Sequence, residues 1–159
     1  LAEAKGYRKL ILFLASAGGL GYLPWAPGTW GTLAGVALSL GFCRFPAGLF
    51  VVTVLAFFFM ASWLAGQTES LLAAQDPQVV VVDEVVGFLI AVFTFPPTWR
   101  YLLGAFLLFR LFDIVKPYPA SFFNRRSRSG YDVVLDDVVA GVYANLCLQA
   151  GRFLLGTLG

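Results

Sequence analysis

No histidine occurs in the 159 residues. That absence removes every mechanism built on an imidazole base, nucleophile or metal ligand, including Ser-His-Asp triads and phosphohistidine enzymes. Charge is scarce as well. Asp, Glu, Lys and Arg make up 13% of the chain, about half the ~25% of an average soluble domain. With 59% hydrophobic residues, 16 Phe and 17 Gly, the sequence is too apolar for disorder and poorly supplied for a water-facing surface. A net charge of +2 is too small to argue for nucleic acid as a partner. Cys43 and Cys147 form no CxxC and no zinc spacing. Four residues separate Cys147 from Arg152, one short of the Cys-x5-Arg loop of thiol phosphatases. Any acid–base or metal chemistry therefore falls to nine acidic residues. The length suits one domain over residues 1–159.

What the chain has in quantity is apolar segments. The pattern predicts an all-α integral membrane protein with about five membrane-embedded helices, over 29–43, 46–66, 77–95, 98–115 and 133–158. A short helix over 4–15 precedes them. Lys5, Arg8 and Lys9 before an apolar stretch, then Ala15-Ser16-Ala17, resemble a signal peptide. The apolar core is shorter than the usual ~7–15 residues, so the helix is expected to be retained. Pro24, Pro27-Gly28, Pro46, Pro96-Pro97, Pro117 and Pro119 punctuate the joints. Threading the charges through this topology collects Lys5, Arg8, Lys9, Lys116, Arg125, Arg126 and Arg128 on one side, and Arg44 and Arg100 on the other. The positive-inside rule places the first side in the cytoplasm.

Every residue with chemical potential falls on or beneath that side. Asp76-Pro77 reads as an N-cap followed by Pro at the first helical position. Asp83 and Glu84 are then two turns inside a helix, flanked by valines. A carboxylate at membrane depth costs about 2.5–3.5 kcal/mol, so two adjacent ones need a partner or a metal. Asp83, Gly87 and Ala91 form a stripe at four-residue steps, small enough for close helix approach. The last segment repeats the device: Asp132 reads as a cap, and Asp137, Gly141 and Asn145 form one stripe beside Asp136, Ala140 and Ala144. Arg110 and Asp113 stand at i, i+3, followed by Lys116.

Two helix starts and one helix end thus supply Asp83, Glu84, Asp113, Asp136 and Asp137 at one depth. Without histidine these make an all-oxygen site, suited to Mg²⁺ or Mn²⁺. Asp83, Glu84, Asp136 and Asp137 are the expected metal ligands, with Asp113 as a further ligand or orienting base. Arg110, Lys116 and Arg125 suit a phosphate. Thr29 and Thr32, in the Gly- and Pro-rich stretch 18–32 that enters the same side, complete the candidate substrate-binding set. Carboxylate-held metal and cations under a headgroup plane suit hydrolysis or transfer of a phospholipid phosphate. A carrier with an ion path is the main rival. It needs polar residues continuing across the membrane, and they stop part-way at Thr94, Asn145, Gln149 and Arg152. A structural subunit leaves the clustered carboxylates without a purpose.

Four blocks resemble the bacterial phosphatidylglycerophosphatase A family. They are Gly21-Tyr22-Leu23-Pro24-Trp25-Ala26-Pro27-Gly28-Thr29-Trp30-Gly31-Thr32, the stretch from Asp76 through Asp83-Glu84-Val85-Val86-Gly87, Phe112-Asp113-Ile114-Val115-Lys116-Pro117-Tyr118-Pro119, and Leu135-Asp136-Asp137-Val138-Val139-Ala140-Gly141. In place of that family's Gly-Gly-Phe-Gly approach to the Asp pair, this chain has Ser129-Gly130-Tyr131-Asp132. The resemblance implies a Mg²⁺-dependent phosphatase of the bacterial inner membrane. Its substrate would be a phospholipid in that membrane, phosphatidylglycerophosphate, which loses its terminal phosphate to give phosphatidylglycerol.

Overall fold

The computed structural model describes residues 2–119 and 129–157. Six α-helices account for most of them: α1 (Ala2–Ala15), α2 (Pro27–Phe42), α3 (Ala47–Leu72), α4 (Val82–Ala91), α5 (Trp99–Val115) and α6 (Gly130–Thr157). A one-turn 3₁₀ helix, Leu20–Tyr22, lies between α1 and α2. No strand occurs among the described residues, as the apolar periodicity predicts.

Helix α4 is the axis of the bundle. It is apolar nearly all round, and such a helix must be enclosed. Val85, Val86, Phe88, Leu89 and Ala91 are buried, with α2, α3, α5 and α6 packed around them. Phe88 meets Phe109 of α5 edge to face, with ring centroids 6.4 Å apart. Small residues set how closely the helices approach. A Cβ on Gly35 of α2 would lie 2.9 Å from that of Phe88. One on Gly130 would lie 2.1 Å from the Ser62 carbonyl oxygen of α3, so the glycine kept in the altered Ser-Gly-Tyr-Asp stretch is a packing residue.

Among the described residues two helices are long and apolar enough to cross a membrane, Ala47–Leu72 and Gly130–Leu154, against the five embedded helices that the sequence predicts. A hydrocarbon core of about 30 Å needs about 20 helical residues. Helices of 16, 10 and 17 residues, α2, α4 and α5, fall short. Proline and positive-φ joints cut the apolar runs: Ala26 has φ 49°, Asp76 φ 44° before Pro77, and Thr94 φ 70° before Pro96-Pro97. The two long helices are not core helices. Only 22% and 39% of their most apolar windows are buried, and Val52, Leu55, Phe59, Trp63, Leu146 and Phe153 point outward. Apolar side chains in such numbers on helix surfaces suit hydrocarbon surroundings.

Two helix starts also differ from expectation. The run 77–81 is not helical; α4 begins at Val82. The Val81 amide donates to the Ala15 carbonyl (3.0 Å), and Gly21 lies so close to the Val79 carbonyl that a Cβ would sit 2.1 Å from its oxygen. A β-branched run with poor helix preference is thus held against the end of α1. Asp76 consequently caps no helix, and Asp83 and Glu84 fall in the first turn of α4 instead of two turns inside it. Asp132 stands in the first turn of α6, not at its cap, and its carboxylate accepts the Ser129 hydroxyl (3.2 Å).

Candidate active site

A pocket of about 390 Å³ opens at one end of the bundle. Four helix ends converge on it. Pro27 and Gly28 begin α2, Asp83 and Glu84 begin α4, Asp113 and Lys116 end α5, and Asp136 and Asp137 come from early α6. The two glycines of the predicted stripes create this convergence. A Cβ on Gly141 would lie 2.2 Å from the Gly87 carbonyl oxygen, and one on Gly87 would lie 2.7 Å from that of Asp137. Backbone therefore packs on backbone where α4 crosses α6, which brings Asp83 beside Asp137. Farther along, Asn145 of the same stripe donates to the Ala91 and Phe93 carbonyls (3.1 and 2.8 Å), occupying the free carbonyls that end α4.

One carboxylate oxygen from each of Asp83, Glu84 and Asp137 lies within 4.8 Å of the others. Asp83 and Asp137 are 5% and 4% exposed, and the buried Oε2 of Glu84 has no hydrogen-bond partner. Two ionised carboxylates at 4.8 Å repel by about 3.5 kcal/mol at an effective dielectric of ~20. The N-terminus of α4 offsets only about 0.3–1 kcal/mol per charge. Repulsion wins, so the trio must take up protons or a cation. Burial, and then the neighbouring Glu84, raise the Asp83 carboxyl well above its usual range. Burial, reinforced by the charges of Asp137 and Asp113, raises Glu84 to about 8. Three oxygen donors with one orphaned buried oxygen are the donor set that a hard divalent cation takes.

Two cations line the pocket among the described residues, and both are paired. Arg110 Nη1 contacts Asp113 Oδ2 at 2.6 Å, and Lys116 is ion-paired with Asp136. Burial alone would lower the lysine pKa, but the Asp136 carboxylate outweighs it and raises the value. Of the four expected metal ligands, Asp83, Glu84 and Asp137 form the close trio, while Asp136 stands beside them holding Lys116. All five expected catalytic carboxylates line the pocket, as do Arg110 and Lys116. Thr29 and Thr32 do not line it; the buried Thr32 hydroxyl is used on the Gly28 carbonyl (2.8 Å). Thr29 lies inside α2 and caps nothing, since Ala26 holds the cap position. Arg125, with Arg126 and Arg128, lies outside the described residues.

Sequence reasoning missed two contributors. Asp76, taken there for a cap, lines the pocket with Gln78; its amide accepts no helix role and instead donates to Glu69 Oε1 (3.0 Å). Its position seven residues before Asp83 within one motif block was the available signal. Gly28 is the other. A Cβ there would lie 2.3 Å from Glu84 Oε1 and 2.9 Å from Arg110 Nη1, so only glycine lets α2 close the pocket. Nothing but the Pro-Gly pair hinted at that.

Fold and pocket define a class: an all-helical bundle with a carboxylate-centred, cation-edged polar site at one end. The model of the Phosphatidylglycerophosphatase A family matches residues 13–152, and the chain belongs to that family. It is 35% identical over 145 residues to the Phosphatidylglycerophosphatase A of Haemophilus influenzae, covering 90% of this chain and 89% of the relative. With the Escherichia coli K12 protein of the same name it shares 32% identity over 130 residues, 81% of this chain and 76% of the relative. A Bacteroides thetaiotaomicron protein named "Putative phosphatidylinositol-3-phosphatase" is 37% identical over 155 residues, 92% and 96% of the two chains. No solved structure matches.

Proposed function

We propose that this chain is a phosphatidylglycerophosphatase, which hydrolyses the terminal phosphate monoester of phosphatidylglycerophosphate to phosphatidylglycerol and inorganic phosphate. The observation that carries the reading is the trio Asp83, Glu84 and Asp137 set beside two cations, Lys116 and Arg110, in one pocket. Asp83, Glu84 and Asp137 would hold Mg²⁺, with Asp136 next to them. Bound there, such a cation would supply charge to polarise the phosphoryl group and acidify a water.

The chain's own residues supply the rest. Lys116 and Arg110 are the groups available to the phosphate oxygens, and the α2 N-terminus at Pro27-Gly28 adds a positive end. Each cation rests on a carboxylate, Lys116 on Asp136 and Arg110 on Asp113. An arriving phosphate competes for both cations and leaves Asp136 and Asp113 free to take the proton of the attacking water. The water oxygen bonds to phosphorus, the ester P–O bond breaks, and the proton taken up by the carboxylate is handed to the glycerol oxygen, which leaves as the alcohol.

The same reading places the chain in the bacterial inner membrane with the pocket toward the cytoplasm. Lys5, Arg8 and Lys9 support this. They are exposed on α1, whose Tyr7 meets Gln67 near the pocket-side end of α3 (3.2 Å), and such clusters mark the cytoplasmic face.

Phosphate release from phosphatidylglycerophosphate in mixed micelles tests the activity. Turnover with Mg²⁺ that stops on chelation is the expected result. A second reading, hydrolysis of a phosphoinositide monoester, draws on the name of the Bacteroides relative. Phosphatidylinositol 3-phosphate assayed alongside separates the two. Faster release from it, or no release from either lipid, overturns the proposal.

A further inference from the structure

A second cleft, about 990 Å³, opens between α5 and α6 at the end of the bundle away from the pocket. Arg100 stands 13 residues before Asp113 on α5, roughly 20 Å along the helix. Arg152 stands 15 residues after Asp137 on α6, roughly 22 Å along it. Both arginines line the cleft with Trp99, Tyr101, Leu108 and Leu148. Both are exposed, and neither takes part in an ion pair among the described residues.

The segments that flank them are free of aspartate and glutamate. Residues 85–112 and 138–159 contain no Asp or Glu, nor do residues 40–68 of the α2–α3 turn and α3. Asp76, Asp83, Glu84, Asp113, Asp136 and Asp137 gather at the pocket end, and neither arginine has an acidic ion-pair partner among the described residues. The cleft is amphipathic in a matching sense. Trp99 is 70% exposed and carries the Arg100 guanidinium over its ring at 5.7 Å, an arrangement that suits the boundary between headgroups and hydrocarbon. Leu108 and Leu148 provide an apolar wall toward the middle of the bundle. Gly151 lines the cleft and faces open space, since a Cβ there would meet nothing within 4 Å.

We infer that this cleft binds the headgroup of an anionic phospholipid from the leaflet opposite the pocket. Its phosphate sits with Arg100 and Arg152, and an acyl chain lies against Leu108 and Leu148. Charge complementarity selects the occupant: two guanidiniums without carboxylates favour a lipid of net negative charge over a zwitterionic one. The inference rests on the membrane reading above but not on the phosphatase chemistry.

Native mass spectrometry of the detergent-purified chain, offered equal phosphatidylglycerol and phosphatidylcholine, reads the preference directly. The intact protein is expected to retain phosphatidylglycerol roughly 30-fold over phosphatidylcholine, as two arginines near a headgroup supply. The double variant Arg100→Gln/Arg152→Gln should lose that preference. Gly151→Leu, which fills the cleft and keeps both charges, should lower retention of both lipids. The pocket is unchanged in all three proteins, so phosphatidylglycerol held there cancels in the comparison. Circular dichroism melting confirms that each variant is folded, and Gly151→Leu decides the matter if the double variant is not. Equal retention of the two lipids by the intact protein overturns the inference. So does a preference that survives both folded variants. Phosphate release is measured on the same samples. Its absence from the intact protein would sink the proposed activity while leaving the lipid-retention result to stand on its own.

Discussion

Gly87 and Gly141 touch through their backbones: a Cβ added to Gly141 would lie 2.2 Å from the Gly87 carbonyl oxygen and 3.2 Å from the Ile90 Cβ. This contact places the carboxylate of Asp83, one turn before Gly87, beside that of Asp137, one turn before Gly141. In lipid, apolar burial gives little drive for helix association, so packing and hydrogen bonds must hold the crossing. Gly141→Ala is expected to destabilise the protein by about 1–3 kcal/mol, the range for overpacking, because the obstructing atom is backbone and cannot swing away. Gly48→Ala is the control. Open space surrounds Gly48, and alanine there should be neutral or stabilising by up to ~1 kcal/mol. Thermal unfolding in detergent measures both, and an equal effect of the two would remove the crossing from the account of the site.

Asp137→Asn keeps the shape of the trio and removes one charge from it. Mg²⁺-dependent phosphate release should fall by at least about 100-fold, while the helical circular dichroism and melting profile stay close to those of the parent. Near-parental turnover by this variant would detach the trio from the chemistry.

Lys116→Ala frees Asp136 from its ion pair and removes a phosphate partner. A loss of about 10–100-fold in kcat/KM is expected, with Lys116→Arg recovering part of it. Equal activity of the alanine variant and the parent would place the phosphate elsewhere in the pocket.

Trp25 is 91% exposed and, like Ala26 after it, has a positive φ (68° and 49°). Ala26 lines the pocket, so the strained turn carries an exposed indole one residue from the pocket lining. A fully exposed indole suits the headgroup layer. Trp25→Ala should lower kcat/KM about 3–10-fold on substrate in vesicles, and leave a short-chain, water-soluble phosphomonoester turned over as before. The ratio of the two rates is the readout. A parallel loss on both would assign Trp25 to the pocket itself.

Asn145→Ala removes the donor that meets the Ala91 and Phe93 carbonyls. Leaving those buried acceptors unmatched should cost about 1–3 kcal/mol, seen as a lower melting temperature.

Much of the site was readable because chemistry and spacing coincide in it. Asp83-Gly87-Ala91 and Asp137-Gly141-Asn145 repeat at helical steps, and a buried carboxylate followed by small residues on one face announces a close, polar helix contact. The missing histidines and the pairing of Asp113 with Arg110 on one turn were equally visible. The roles of Asp76 and Gly28 were not. Asp76 reaches the pocket because a positive-φ turn and a docked valine run delay α4 until Val82, and Gly28 matters only because Glu84 and Arg110 arrive from other helices.

Composition and local periodicity therefore determined the helical class, the apolar surfaces and the identity of the acidic and basic groups. These depend on residue type and on neighbours three or four places away. Tertiary structure alone decided which helices are long enough to cross a membrane, which carboxylates form the trio and which are held by cations. Those outcomes turn on backbone joints and interhelical contacts of a few ångströms, between residues far apart in the chain.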